Sequence, residues 1–358
     1  MNLQDIDNYY DYTPGSVDFS GYDRGGPNKI PYGFLALYFV LSVVICYLYH
    51  KKIVAAADWN APNSLNAVAS FQTSKPFQFR LLMPVIFDFF KPLHAIYGKY
   101  LYNAWNVTAL FLLQVVFYKL LCGYFRNVKY LLWVAPVILY PVLWNYIILN
   151  QSFQYYDFTA ILFFTIGLYY ILNQKNTAFF IIFIIAVINK ETAGYLIFAY
   201  LCYNYKELFT KKVILNTFLL GVFFIGYKIL LGYIFRNNPG DNFEIGYIEN
   251  IRIVKELPGN TIFLKNLALN YGGLYIFAIL LFVTGAWLKY PDRRKVYMNL
   301  AVVPYYIFGI FITYITEVRV YTELIPMVTI LFLLYISTFK ISGLEPWAFI
   351  PRKKLQNN

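Results

Sequence analysis

The chain consists of long apolar runs separated by short polar segments. Eight of these runs are between 15 and 26 residues long, close to the ~20 residues that a helix needs to cross a ~30 Å hydrocarbon layer. They cover residues 32–49, 100–125, 130–149, 158–172, 213–235, 274–288, 297–315 and 324–339. This pattern predicts an all-α polytopic membrane protein.

A further apolar segment, residues 178–205, is interrupted by two adjacent charges, Lys190 and Glu191. As a single helix the segment would be about 42 Å long, with both charges near its middle. As a hairpin it would form two helices of about a dozen residues each, with both charges at the tip.

The distribution of basic residues favours the hairpin, because the short basic loops then all lie on one side of the membrane, as the positive-inside rule expects. These loops contain Arg126, Lys129, Lys175, Lys206, Lys211, Lys212, Arg293, Arg294, Lys295, Arg352, Lys353 and Lys354. A single span would divide them between the two sides. The hairpin predicts about ten transmembrane helices with both termini cytoplasmic, although it places His50, Lys51 and Lys52 outside.

Three regions follow from this pattern. Residues 1–29 are predicted to be an acidic, mobile cytoplasmic tail, residues 30–340 a single transmembrane domain, and residues 341–358 a basic cytoplasmic tail. The two larger external connections are residues 53–99 and 236–265. The first contains FQFRLLMPVIFDFF, whose mixed apolar and charged character suits helices that lie in the membrane interface.

Composition narrows the possible functions. With 59% hydrophobic and 21% aromatic residues the chain is too apolar for a soluble domain. Much of the net charge of +12 lies in loops between spans, so the positive-inside rule explains it and no nucleic-acid partner is predicted. Cys46, Cys122 and Cys202 fall within apolar runs and predict no disulfide. No Walker loop, GxSxG, HExxH or paired CxxC motif supports nucleotide hydrolysis, serine hydrolysis or zinc chemistry.

Lys190 and Glu191 are the most unusual charges in the chain. Charges within spans cost roughly 2.5–3.5 kcal/mol each on insertion scales, so they usually face a partner or water. Helical neighbours point about 100° apart, so these two cannot readily pair with each other, and we expect partners among Asp157, Arg80 and Arg319. Two short helices reach only ~18 Å into the membrane, which predicts a tip in an external, water-filled recess. A plain loop at the interface is the alternative.

Other candidate residues also have simple interpretations. Asp157 precedes an apolar run and suits a helix N-cap. Arg80 and Arg319 suit anchors to lipid headgroups, and Asp58 suits a turn.

The order of these features resembles the GT-C class of integral-membrane glycosyltransferases and their uncharacterised bacterial relatives. The resemblance covers roughly residues 30–340 and rests on short, degenerate motifs. They are an acidic residue in a large first external loop (Asp58), Phe79-Arg80-Leu-Leu-Met-Pro84, Tyr155-Tyr156-Asp157, Lys190-Glu191-Thr192, and Arg319 ahead of Leu324-Ile-Pro326.

The resemblance implies a GT-C-like fold that transfers a sugar from a polyprenyl-phosphate carrier to an acceptor on the external face. It implies that Asp58 is the general base on the acceptor hydroxyl. Many members carry a second acid close to the first; Asp58 has no such neighbour, so Asp88 is the substitute candidate.

The resemblance also implies cations for the departing lipid phosphate, for which Arg80, Lys190 and Arg319 are the candidates. Asp157 and Glu191 would orient these cations or bind sugar hydroxyls. Glu317 and Glu323, in the last external tip, are further substrate-binding candidates.

The implied partners are the lipid bilayer, a lipid-linked sugar donor and a glycan or lipid acceptor. The implied setting is polysaccharide biosynthesis for the cell envelope, at a bacterial plasma membrane. No cofactor is required by the sequence, and a divalent cation, Mg²⁺ or Mn²⁺, stays open, as does the oligomeric state. Three other functions fit the same pattern: a polymerase that joins lipid-linked repeat units, a transporter or flippase for a lipid-linked or anionic solute, and a structural membrane subunit.

Overall fold

The computed structural model describes residues 29–56, 64–150, 154–241, 247–255, 270–290, 292–312, 318–339, 341 and 344. Over these residues the chain is helical and contains no β-strand. The prediction of an all-α protein is therefore confirmed for the described part of the chain.

The first half of the chain contains seven α-helices among the described residues, joined by 3-10 and π turns. They are α1 (Tyr32–Tyr49), α2 (Leu65–Ala69), α3 (Leu82–Phe89), α4 (Lys91–Leu121), α5 (Val128–Val134), α6 (Leu139–Val142) and α7 (Asp157–Leu172). The irregular turns are His50–Val54, Phe77–Phe79, Ala135–Ile138 and Leu143–Ile148.

The second half continues the series, again for the described residues. Its helices are α8 (Asn176–Asn189), α9 (Leu196–Tyr203), α10 (Lys211–Ile234), α11 (Tyr247–Lys255), α12 (Leu274–Val283), α13 (Arg293–Leu300), α14 (Val302–Ile312) and α15 (Ile325–Ser337). The 3-10 turns are Glu191–Tyr195, Tyr205–Glu207, Asn270–Gly273, Ala286–Lys289 and Val318–Leu324.

Five helical stretches of the described chain are long and apolar enough to cross a membrane. They are Tyr32–Val54, Tyr100–Leu121, Val128–Ile148, Lys211–Ile234 and Val320–Ser337. Three shorter apolar helices accompany them, at Asp157–Leu172, Asn176–Asn189 and Asn270–Val283. These lengths fit an all-α membrane protein, while the number of ten crossings stays a prediction.

Proline explains the irregular form of the third spanning stretch. Pro136 and Pro141 have no amide hydrogen to donate, so the helix passes through a 3-10 turn at Ala135–Ile138 and a π turn at Leu143–Ile148. The stretch nevertheless stays apolar over its full length. Near the end of the stretch, the side chains of Asn145 and Tyr146 are buried in the interior of the bundle.

Helix α7 lies at the centre of the bundle. It packs against α4, α8 and α9, and residues on all its faces are buried. A helix that is apolar on all sides is expected in such a position, because no face of it gains from contact with water. The first residue of α7, Asp157, is therefore held in the interior.

Residues 176–203 fold back on themselves, as the distribution of basic loops predicts. Lys190 leaves the helical conformation, with φ −160° and ψ 126°, and separates α8 from the next turn. The rings of Phe179 and Tyr200 stack with centroids 5.6 Å apart, although a continuous helix would separate them by about 30 Å. The hairpin is confirmed, and its tip is residues 189–192.

Basic residues gather at the end of the bundle opposite the tip. The Lys295 ammonium donates to the carbonyl of Gly123 at 2.7 Å, and the Tyr203 hydroxyl donates to the carbonyl of Leu172 at 3.2 Å. The rings of Tyr205 and Tyr297, with centroids 4.6 Å apart, connect these two pairs of segments. We call residues 121–129, 172–176, 203–212 and 292–297 the basic end. It contains the predicted basic loops from Arg126 to Lys295.

The two larger predicted connections meet at the tip end of the bundle. The Lys75 amide donates to the carbonyl of Pro239 at 2.8 Å, and the Asn238 amide donates to the carbonyl of Thr73 at 2.8 Å. Gly240 has φ +86°, and a Cβ there would lie 2.6 Å from the Lys75 carbonyl oxygen, so only glycine fits. The contact places both connections on the same side.

This arrangement predicts the outcome of labelling single cysteines in a variant without the native ones. Asn237→Cys, at the tip end, should react with a membrane-impermeant maleimide on intact cells, and Lys129→Cys, at the basic end, only after permeabilisation. Both side chains are exposed, so access is set by the membrane alone. Reaction of both from the same side would contradict the two-ended arrangement.

Candidate functional site

The tip is fixed to the start of α7 by neutral hydrogen bonds. The Asn189 amide donates to the carbonyl of Tyr156 at 3.2 Å, and the Thr159 hydroxyl donates to the Asn189 side-chain oxygen at 3.0 Å. Both Asn189 and Thr159 are buried. These bonds satisfy polar groups near the end of α8 and fix the position at which Lys190 leaves the helix.

Lys190 lies between two carboxylates. Its Nζ is 2.6 Å from Oε1 of Glu323 and 3.4 Å from Oδ1 of Asp157. Asp157 is the first residue of α7, where an acidic residue is favoured, but no side chain caps this helix in the structure. The N-cap interpretation of Asp157 is therefore replaced by an ion pair with the hairpin tip.

Glu323 is the most fully bonded carboxylate among the described residues. Besides Lys190, its Oε1 accepts from the Thr192 hydroxyl at 2.7 Å, and its Oε2 lies 3.0 Å from the Tyr305 hydroxyl. Its side chain has no exposed surface. A buried carboxylate needs such donors, because an uncompensated charge in the interior is costly. Glu323 thus joins the tip to the turn before α15.

Arg80 and Glu191 form a second, bidentate ion pair. Arg80 Nη2 is 3.1 Å from Glu191 Oε1, and Arg80 Nε is 3.3 Å from Glu191 Oε2. The Arg80 Nη1 also donates to the Tyr156 hydroxyl, and its guanidinium lies 4.4 Å from the centroid of that ring. Lys190 and Glu191 therefore pair with different partners, as predicted from the different directions in which the side chains of sequence neighbours point.

The segment before Arg80 is anchored on both sides. Buried Gln78 donates to the carbonyl of Val68 at 3.0 Å, and its side-chain oxygen accepts from the Thr73 amide at 3.2 Å. The Tyr227 hydroxyl, from α10, donates to the carbonyl of Phe79 at 3.0 Å. Arg80 then leaves the Phe77–Phe79 turn with a non-helical backbone just before α3 begins.

Lys228 adds a third cation from α10. Its Nζ lies 4.7 Å from the centroid of the Phe79 ring, and it interacts electrostatically with Glu191 and Arg80. Burial works to raise the pKa of Glu191, which lies outside the spanning segments, but Arg80 and Lys228 lower it to about 2. Glu191 is therefore ionised at neutral pH, and its pair with Arg80 persists there.

We call Arg80, Asp157, Lys190, Glu191 and Glu323 the charged cluster. Its two halves differ in exposure. The side chains of Lys190, Asp157 and Glu323 are 4%, 2% and 0% exposed, whereas those of Arg80 and Glu191 are 10% and 17% exposed. A ligand that approaches from outside would therefore meet Arg80 and Glu191 first, with Lys190 holding the tip behind them.

The remaining candidates are Asp58, Asp88, Glu317 and Arg319. Asp58 and Glu317 lie outside the described residues, as does the side chain of Arg319, whose backbone belongs to the turn Val318–Leu324. Asp88 lies on α3, about two turns beyond Arg80, and its side chain is exposed.

Sequence reasoning missed Lys228 and Tyr305. Lys228 is the one charged residue among residues 213–235, an isolated lysine that could have been recognised as costly in a lipid-facing helix. Tyr305 had no comparable signal, because it is one of 36 tyrosines in the chain.

The acidic residues of the cluster do not fit a divalent cation. Over the described residues, no group of three or more His, Cys, Asp or Glu side chains is arranged to hold a metal ion. The cluster carboxylates are each bonded to Lys190 or Arg80 instead.

No family model, curated protein or solved structure matches the chain.

Proposed function

We propose that the chain is a membrane glycosyltransferase that moves a sugar from a polyprenyl-phosphate carrier to an acceptor at the tip end of the bundle. The observation that carries this proposal is the convergence of Arg80, Asp157, Lys190, Glu191 and Glu323, from four separate parts of the sequence, at one end of an apolar bundle. Three of the short motifs behind the GT-C resemblance contribute to it: Phe79-Arg80, Tyr155-Tyr156-Asp157 and Lys190-Glu191-Thr192.

The chemistry requires a base and a cationic site for the leaving group. A carboxylate takes the proton of the acceptor hydroxyl while the hydroxyl oxygen forms a bond to the anomeric carbon of the sugar. The bond from that carbon to the phosphate oxygen breaks at the same time. The electron pair leaves with the lipid phosphate. Arg80 is the donor fork for this phosphate, since a guanidinium can bind two phosphate oxygens at once.

The geometry divides the roles of the other cluster residues. Lys190 is enclosed by Asp157 and Glu323, so we assign it to holding the tip rather than to the phosphate. Glu191 aligns the Arg80 guanidinium through two bonds and exchanges with the phosphate when the donor binds. Asp58 remains the proposed base, as the resemblance implies, and Asp88, which has an exposed side chain on α3, remains its substitute.

One observation favours transport as a second candidate function. A nearly fully buried lysine between two carboxylates, next to the break between α8 and the following turn, is also the kind of site at which transporters couple ion movement to solute movement. An anionic or lipid-linked solute would then bind at Arg80 and cross the membrane unchanged.

Replacing the carboxylate of each candidate base in turn tests which of them is the general base. We expect Asp58→Asn to lower the rate of sugar transfer by about 10²–10⁴-fold, the usual contribution of general base catalysis, and Asp88→Asn to leave it within about threefold. The measurement is transfer of a radiolabelled sugar from a panel of polyprenyl-phosphate donors by purified protein in nanodiscs. A large loss in Asp88→Asn alone would transfer the role to Asp88, and full activity in both would remove the proposed base.

A further inference from the structure

Helix α10 faces outward over most of its length. Only 17% of its most apolar 18-residue stretch is buried, less than in the other four spanning stretches of the described chain. Ile225, Ile229 and Leu230 are 58%, 68% and 54% exposed. In a bilayer these side chains face lipid, so α10 forms part of the outer wall of the protein.

Lys228 lies in the middle of these exposed apolar residues but is turned inward. Its side chain is half-buried, its ammonium rests against the Phe79 ring, and it interacts with both Arg80 and Glu191. A lysine that only reached toward the membrane surface would extend along the helix into water. Lys228 instead points from the lipid-facing wall toward the charged cluster.

Beside Lys228, helix α10 contacts the residues that precede α3. Phe79 packs against Leu231 and Phe235 of α10, and the Tyr227 hydroxyl bonds to the Phe79 carbonyl. Lys228 is six residues before the end of α10, or about 9 Å along the axis, on the tip side of the bundle. The seam between α10 and residues 77–81 therefore carries a cation close to the depth of lipid headgroups.

We propose that Lys228 is a phosphate-binding residue at which an amphiphilic phosphate enters the site sideways from the bilayer. The proposal rests on the proposed function and specifies how its donor is recognised. The lipid chain would stay against the apolar wall of α10 while its phosphate bridges Lys228 and Arg80. The opposing Glu191 would be displaced from the Arg80 fork. The ligand class is thus a membrane-embedded phosphate ester rather than a water-soluble anion.

The test is binding of a long-chain polyprenyl phosphate to the purified full chain in nanodiscs, compared with binding of inorganic phosphate. We expect Lys228→Ala to weaken binding of the lipid phosphate about 10–100-fold, the loss expected for one charge-assisted hydrogen bond. Lys228→Arg should retain most of the affinity. Lys212→Ala, an exposed lysine at the basic end of the same helix, is the matched control and should bind like the unmodified protein.

The outcomes separate the two proposals. Equal affinity of Lys228→Ala and Lys212→Ala for the lipid phosphate would overturn the role of Lys228 and leave the proposed function standing. Failure of the unmodified protein to bind any lipid phosphate would overturn both. Equal losses for lipid phosphate and inorganic phosphate would overturn sideways entry. If Lys228→Ala does not fold, Lys228→Gln, which keeps a polar but uncharged side chain one atom shorter than lysine, takes its place.

Discussion

Replacing Lys190 by methionine is expected to lower the free energy of unfolding by about 3–5 kcal/mol, the cost of removing one partner from a buried ion pair. The variant would leave Asp157 and Glu323 in the interior without the cation that lies 3.4 Å and 2.6 Å from them. Methionine fills a similar volume, so the loss reports on charge rather than on a cavity. The measurement is unfolding of the purified protein in mixed detergent micelles.

Two further variants make the Lys190 result specific. Lys129→Met removes an exposed lysine at the basic end and should change the free energy of unfolding by less than about 1 kcal/mol. Adding Glu323→Gln to Lys190→Met should recover part of the loss, because one of the two buried charges is then neutral. If Lys190→Met and Lys129→Met unfolded alike, the ion-paired tip would not contribute to stability as described.

Replacing Arg80 by lysine should lower the rate of sugar transfer by about 10–100-fold without unfolding the protein. The substitution keeps the positive charge opposite Glu191 but removes the planar fork that makes two bonds to it, at 3.1 Å and 3.3 Å. The same fork is proposed to bind the departing phosphate, and arginine and lysine are not equivalent at such a bidentate site. Transfer is measured with the donor panel, and folding by thermal unfolding.

Arg236→Lys is the matched control for Arg80→Lys. Arg236 is an exposed arginine that follows α10 at the tip end, outside the charged cluster. The Arg236→Lys variant should transfer sugar at close to the rate of the unmodified protein. Equal activity of the two variants would show that the Arg80 fork does not contact the reacting phosphate.

Hydrophobic patterning predicted where most of the helices lie, because each long apolar run contains one. The first run predicted Tyr32–Tyr49 with the same bounds that the structure has. Other lengths were wrong: α4 begins nine residues before the run 100–125, and the run 297–315 is divided between α13 and α14. The irregular turns at Ala135–Ile138 and Leu143–Ile148 were not predicted, since hydrophobicity does not indicate how proline breaks the hydrogen-bond ladder of an apolar helix.

Charge patterning predicted the fold of the hairpin and part of the site. The positions of the basic loops indicated that the chain turns at Lys190, and the cost of buried charge indicated that Glu191 and Lys190 need separate partners. Arg80 and Asp157 were among those expected and are found there. Lys190 also pairs with Glu323, which lies 133 positions further along the chain. This pairing depends on how α15 packs beside α7, and no local pattern encodes it.

The most direct test of the central claim is a reaction with the unmodified protein in proteoliposomes. We predict that it transfers sugar from a radiolabelled polyprenyl-phosphate donor to an added glycan or lipid acceptor and releases the polyprenyl phosphate in equal amount. No transfer with any donor, together with movement of the intact labelled donor from one leaflet to the other, would contradict the glycosyltransferase and support the transporter.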